Sequence, residues 1–140
     1  MSGEGAIAIG RNARTQTWDD PDVGAFEATG AIAIGDSAVA EGRRSIALGL
    51  NAHAWKNAST SIGGNSNALG IGSTAVGENS MAIGDSSVAL GQSAWSMGFG
   101  NTAIGAAAAA NAEQAATAVG ALSEACLLYT SDAADDMQCV

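Results

Sequence analysis

The chain has 140 residues with 19 glycines, one proline and a formal charge of −9, and only 4 % of it is aromatic. That length suits one domain, but a conventional core needs large side chains that this composition lacks. The charge argues against a nucleic-acid backbone as partner, and no apolar run approaches the ~20 residues of a membrane span.

Met1 to Gly5 is polar and shows no signal peptide. A repeat begins at once with Ala6-Ile7-Ala8-Ile9-Gly10, so the chain reads as a piece of a longer protein. The next copy of that phrase ends at Gly35 instead of fourteen residues after Gly10. Eleven residues are therefore inserted, within roughly 15–27, and they include Trp18, Asp19, Asp20, Pro21, Asp22 and Phe26. Insertions in solenoids become loops on one face, often the binding face. Three aspartates so close together are oxygen ligands of the kind calcium takes, or a solvated acidic turn. The acid, glycine and glutamate spacing of an EF-hand is absent.

From Ala31 the repeat is regular. Gly35, Gly49, Gly63, Gly77, Gly91 and Gly105 stand fourteen residues apart. Before them run an aliphatic column (Ile34, Leu48, Ile62, Val76, Leu90, Ile104), a small column (Ala33, Ala47, Ser61, Ala75, Ala89, Ala103) and a β-branched column (Ile32, Ile46, Thr60, Thr74, Val88, Thr102). Large, small, large is the period of a strand, and the glycine suits a turn needing φ > 0. Half a period later come Gly42, Gly70, Gly84 and Gly98, a series that Lys56 breaks. The small residues Ala40, Ala54, Ala68, Ala82 and Ser96 precede that position, with mixed neighbours. Each unit therefore reads as strand, turn, strand, turn, with a uniform first strand and a variable second one. A heptad coiled coil would carry glycine every second turn at about 1 kcal/mol each relative to alanine, and it is excluded.

The Asn, Asp and Ser residues after the main glycines support tight corners. Arg43 and Arg44 occupy one of the other corners, as a small anion-binding point or as solvated side chains. After Ala106 an alanine run favours helix, yet Thr117-Ala118-Val119-Gly120 restores the phrase after fifteen residues, so one more imperfect turn is expected. Residues 126–140 resemble a translated sequencing adapter and are set apart from the unit at 1–125. Both cysteines, Cys126 and Cys139, lie in that tail, so neither disulfide nor thiol chemistry enters.

Catalysis has almost nothing to work with. His53 is the one histidine and has no acid in its own unit. No Ser/His/Asp set, zinc spacing or phosphate loop can be assembled. The chain is read as a non-enzyme without a cofactor.

The AIAIG, SIALG, TAVG, MAIG and SVALG phrases resemble the head repeats of YadA-like trimeric autotransporter adhesins, over roughly residues 6–120. The resemblance implies an all-β, left-handed parallel β-roll with 14-residue turns, assembled as a homotrimer. It implies display on the surface of a Gram-negative bacterium, anchored in the outer membrane through a C-terminal region, and adhesion to host cells or extracellular matrix. Similar repeats occur in phage tail fibres, which is the second reading. An ice-binding solenoid, the third, needs paired threonine columns, and only one column carries threonine.

Two strands in a fourteen-residue turn lie close together, so the small columns are expected to point inward. Glu41, His53, Asn67 and Trp95 should then face water. The first-strand columns Ile32, Ile34, Ile46, Leu48, Ile62, Val76, Val88, Leu90 and Ile104 form an unbroken stripe that a monomer would expose, and they are assigned to the trimer seam. Ligand contact is assigned to what varies: Trp18, His53, Trp55, Met81, Trp95 and Met97. For Trp55 and Trp95 the alternative is that they cover the small-residue interior.

Overall fold

A computed structural model describes residues 3–16, 18–20, 24–26 and 28–125, with the backbone alone for 18–20 and 24–26. The strands in chain order are β1 (Ile7–Ile9), β2 (Arg14–Thr15), β3 (Trp18–Asp20), β4 (Gly24–Phe26), β5 (Ile32–Ile34), β6 (Val39–Ala40), β7 (Ile46–Leu48), β8 (His53–Ala54) and β9 (Thr60–Ile62). They continue as β10 (Asn67–Ala68), β11 (Thr74–Val76), β12 (Met81–Ala82), β13 (Val88–Leu90), β14 (Trp95–Ser96), β15 (Thr102–Ile104), β16 (Ala109–Ala110), β17 (Thr117–Val119) and β18 (Glu124–Ala125).

Three-residue strands stack in parallel in the order β1-β5-β7-β9-β11-β13-β15-β17, and two-residue strands in the order β2-β6-β8-β10-β12-β14-β16-β18. The register joins equivalent residues of successive units, as in Ala33 with Ala47 and Ala47 with Ser61. This is the β-solenoid that the fourteen-residue repeat predicts, with two short strands per turn. At the ~4.8 Å spacing of paired strands, eight rungs make a rod roughly 35–40 Å long.

The core is thin and regular. Every seventh residue from Ala33 to Ala110 is fully buried, and so is every seventh from Ala31 to Ala108. All are Ala or Ser except Asn101. Two facing strands so close together leave room for little more than a methyl or hydroxymethyl group. The serines close corners as well as fill space. Ser45, Ser59, Ser73 and Ser80 each donate Oγ–H to the carbonyl three residues back, at 2.6–2.8 Å. Ser61 and Ser66 bond to each other across the interior at 2.7 Å.

The two corners use glycine differently. At the first, Gly77 has φ +129°, and a Cβ there would lie 2.4 Å from the Gly91 carbonyl oxygen. That backbone region is open essentially to glycine alone. At the second, Gly70 has no left-handed φ, but its Cβ would lie 2.1 Å from the Gly84 oxygen. One glycine is demanded by conformation and close approach together, the other by close approach. Two residues past each main glycine the chain turns left-handed again. Asn51, Asn65 and Asn79 sit there with φ 53–57°, a conformation asparagine tolerates better than most residues.

Two places break the period. The eleven-residue insertion contains β3 and β4, which pair antiparallel as a hairpin. Near the other end, the turn from Gly105 to Gly120 takes fifteen residues, and the strands β16 and β17 stand where an alanine helix competed in the sequence. The extra residue displaces backbone groups from the regular ladder, and Asn101 recovers them. Its Nδ2 donates to the Ala110 and Ala112 carbonyls at 3.1 and 2.6 Å, and its Oδ1 accepts from Ala116 N–H at 2.9 Å. An asparagine in a serine column is thus the partner of a one-residue insertion further on.

Candidate functional site

With small residues inside, the large ones stand on two outer faces. The face of the three-residue strands carries isoleucine, leucine, valine and threonine without interruption from β1 to β17. Its end positions Ile9 and Val119 are 57 % and 65 % exposed, and the positions between are mostly half-buried by their neighbours. Among the described residues nothing covers that face.

The face of the two-residue strands is mixed. Met81 is half-buried, while Trp55, Trp95 and Met97 are 37 %, 45 % and 46 % exposed. Both indoles therefore keep surface that packing over the interior does not use. Trp95 pairs with Met81 in register, and Trp55 stacks on His53 with ring centroids 4.5 Å apart. These assigned contact residues share one face over four rungs. Trp18 belongs to β3, and its side chain, like those of Asp19 and Asp20, lies outside the described residues; so does Asp22. The calcium expectation therefore falls outside them too.

One expectation about this face is corrected. Glu41 was expected to face water with His53. Glu41 is instead buried at 7 % exposure. Gln16, at the start of the insertion, donates Nε2–H to its Oε1 at 2.7 Å. His53 Nε2 stands 3.4 Å from the same oxygen. The acid comes from the preceding rung, two positions along from Val39, which pairs with His53. Stacking brought together residues that one unit read alone kept apart. Burial holds the His53 pKa below its ordinary value, Glu41 pulls the other way, and Arg14 adds to the lowering.

Among the described residues no group of three His, Cys, Asp or Glu side chains could hold a metal ion. Among them, too, no helix is long and apolar enough to cross a membrane. The Gln16–Glu41–His53 cluster anchors the base of the insertion to the rod, which the sequence alone did not show. Its only signal was Gln16 lying at the insertion boundary.

A rod of fourteen-residue turns with a corner glycine, a small-residue interior and one uniform outer face defines a repeat-built β-solenoid. Comparison with protein families is specific: the model of the YadA head domain repeat (2 copies) matches residues 2–16, 27–52, 56–80 and 76–94, more than half of the chain. The chain belongs to the YadA head domain repeat family. No curated protein matches it.

Proposed function

We propose that this chain is the head of a trimeric autotransporter adhesin, carried on the surface of a Gram-negative bacterium and binding host cells or extracellular matrix. The observation that carries the reading is the pairing of one uniform apolar face with one variable face on a rod of YadA head repeats. The uniform face makes the homotrimer seam, through Ile32, Ile34, Ile46, Leu48, Ile62, Val76, Val88, Leu90 and Ile104. Burying an isoleucine or leucine is worth about 1.5–3 kcal/mol, and closed symmetry covers such a stripe without fibre growth. The variable face and the insertion contact the ligand, through Trp18, His53, Trp55, Met81, Trp95 and Met97, since exposed aromatics and methionines are typical anchors. Nothing in the arrangement supports catalysis. The head unit occupies 1–125, with 126–140 as translated adapter and an anchoring region supplied elsewhere in the full protein.

The test is display of the chain on a non-adherent bacterial host, followed by binding to cultured cells and to matrix-protein surfaces. Adhesion above the undecorated host is expected. Adhesion equal to that of the host on every surface would overturn the reading.

A further inference from the structure

We propose that the corner formed by Arg43 and Arg44 binds a sulfated polysaccharide. The inference rests on the adhesin reading only for where such a ligand is met, outside the cell.

Three of the five basic residues of an acidic chain lie on two successive rungs at one corner. Arg43 and Arg44 stand between β6 and β7, and Lys56 stands between β8 and β9 in the place of Gly42. Both arginines are exposed, and neither forms an ion pair among the described residues. Arg11, by contrast, is paired with Asp36 at the other corner. Arg44 also sits in the left-handed region at φ 55°, where the equivalent positions of later rungs include Gly72 and Gly100. A long cation there has no ion-pair partner among the described residues.

The same corner shows how it receives oxygen. The Arg43 N–H donates to Asn57 Oδ1 at 2.9 Å, and the Ile71 N–H donates to Asp85 Oδ1 at 2.7 Å. In each case an acceptor from the next rung caps an outward amide. The Asn57 N–H, between them, has no acceptor among the described residues, because the next rung offers the aliphatic Ile71. An amide donor thus lies beside two arginines whose planar forks suit sulfate oxygens.

Rung spacing of ~4.8 Å sets these charges in a short row. A single small anion at an exposed site of this kind gains little, so the ligand must be polyvalent. It must also be locally engaged, because Asp85 closes the row two rungs beyond Asn57 and the chain as a whole is acidic. Trp55, adjoining Lys56, leaves an indole partly exposed where the row meets the variable face. Sulfated sugar chains meet these terms, with dense charge on rings that have apolar faces.

The probe is immobilised heparin, with the full chain applied at low ionic strength and released by a salt gradient. Retention is expected to disappear as the screening length falls from ~30 Å towards ~8 Å. The double variant Arg43→Gln/Arg44→Asn should bind about tenfold more weakly, and asparagine is chosen at 44 to keep the left-handed turn. Arg43→Gln alone serves if the double variant does not fold, with a smaller loss in the same direction. Arg11→Gln should bind as the unmodified chain does. The proposal is overturned if the arginine variants elute unchanged, if Arg11→Gln loses as much, or if desulfated heparin or single-stranded DNA binds as tightly. Heparin retention is read on the isolated chain, so loss of adhesion with retention intact counts against the head reading and not against this site.

Discussion

The two outer faces of the rod are built over one interior and share almost nothing else. Both lie on strands whose inward positions are alanine or serine, and both are set by the same alternation. The face of β5, β7 and their stack repeats one chemical character over every rung. The face of β6, β8 and their stack holds valine, histidine, asparagine, methionine and tryptophan in equivalent places. Interior packing cannot cause that difference, since the interior is alike on both sides. On the function proposed above, it arises from what each face meets outside: copies of one surface select a constant pattern, whereas a ligand selects a particular one.

The largest effect expected is on the uniform face. Replacing Ile34, Leu48 and Val76 by aspartate should dissociate the assembly or prevent folding, because three charges would be buried in an apolar seam. Sedimentation would show it, and a well-folded monomer for the unmodified chain at micromolar concentration would refute the seam itself.

A corner change should strike both faces together. Gly77→Val places a β-branched residue at φ +129° and drives its Cβ into the Gly91 carbonyl. A loss of at least 1–3 kcal/mol is expected from the backbone conformation alone. Thermal unfolding indistinguishable from the unmodified chain would remove the corner from the account.

On the variable face the effect should be functional rather than structural. Trp55→Ser with Trp95→Ser should reduce adhesion and leave the assembled mass unchanged. Adhesion preserved on every surface would assign those indoles to covering the interior.

The smallest effect concerns pH. With its folded-state pKa held below 6.5 by burial, His53 takes a proton more readily in the unfolded chain. Stability should therefore fall as pH drops from about 6.5 through the lowered value. Melting temperatures measured from neutral to mildly acidic pH should show a shallower decline in His53→Gln. Parallel curves for the two proteins would deny His53 any part in it.

The repeat made most of the fold legible, because a glycine, a β-branched residue and a small residue in fixed columns admit few architectures. What it concealed was interaction between rungs. His53 looked isolated because its acid is supplied by the rung before, and Glu41 looked solvated because Gln16 reaches it only after the insertion folds. Asn101 stands at a buried position otherwise held by alanine or serine, and its amide carries the bonds freed by a residue inserted later in the chain. The role of the serines at 45, 59, 66, 73 and 80 in closing corners becomes plain only when each hydroxyl is seen on a carbonyl three residues back.

The interior repeats every seven residues, the exterior every fourteen, and this mismatch constrains how such a gene changes in length. Slippage that adds fourteen codons lengthens the rod by one rung of ~4.8 Å and leaves each face continuous. Slippage that adds seven would keep small residues inside, yet from that point onward it would exchange the faces, carrying the aliphatic columns to the variable side. Copy number in this protein is therefore counted in whole turns, by the outside and not by the core.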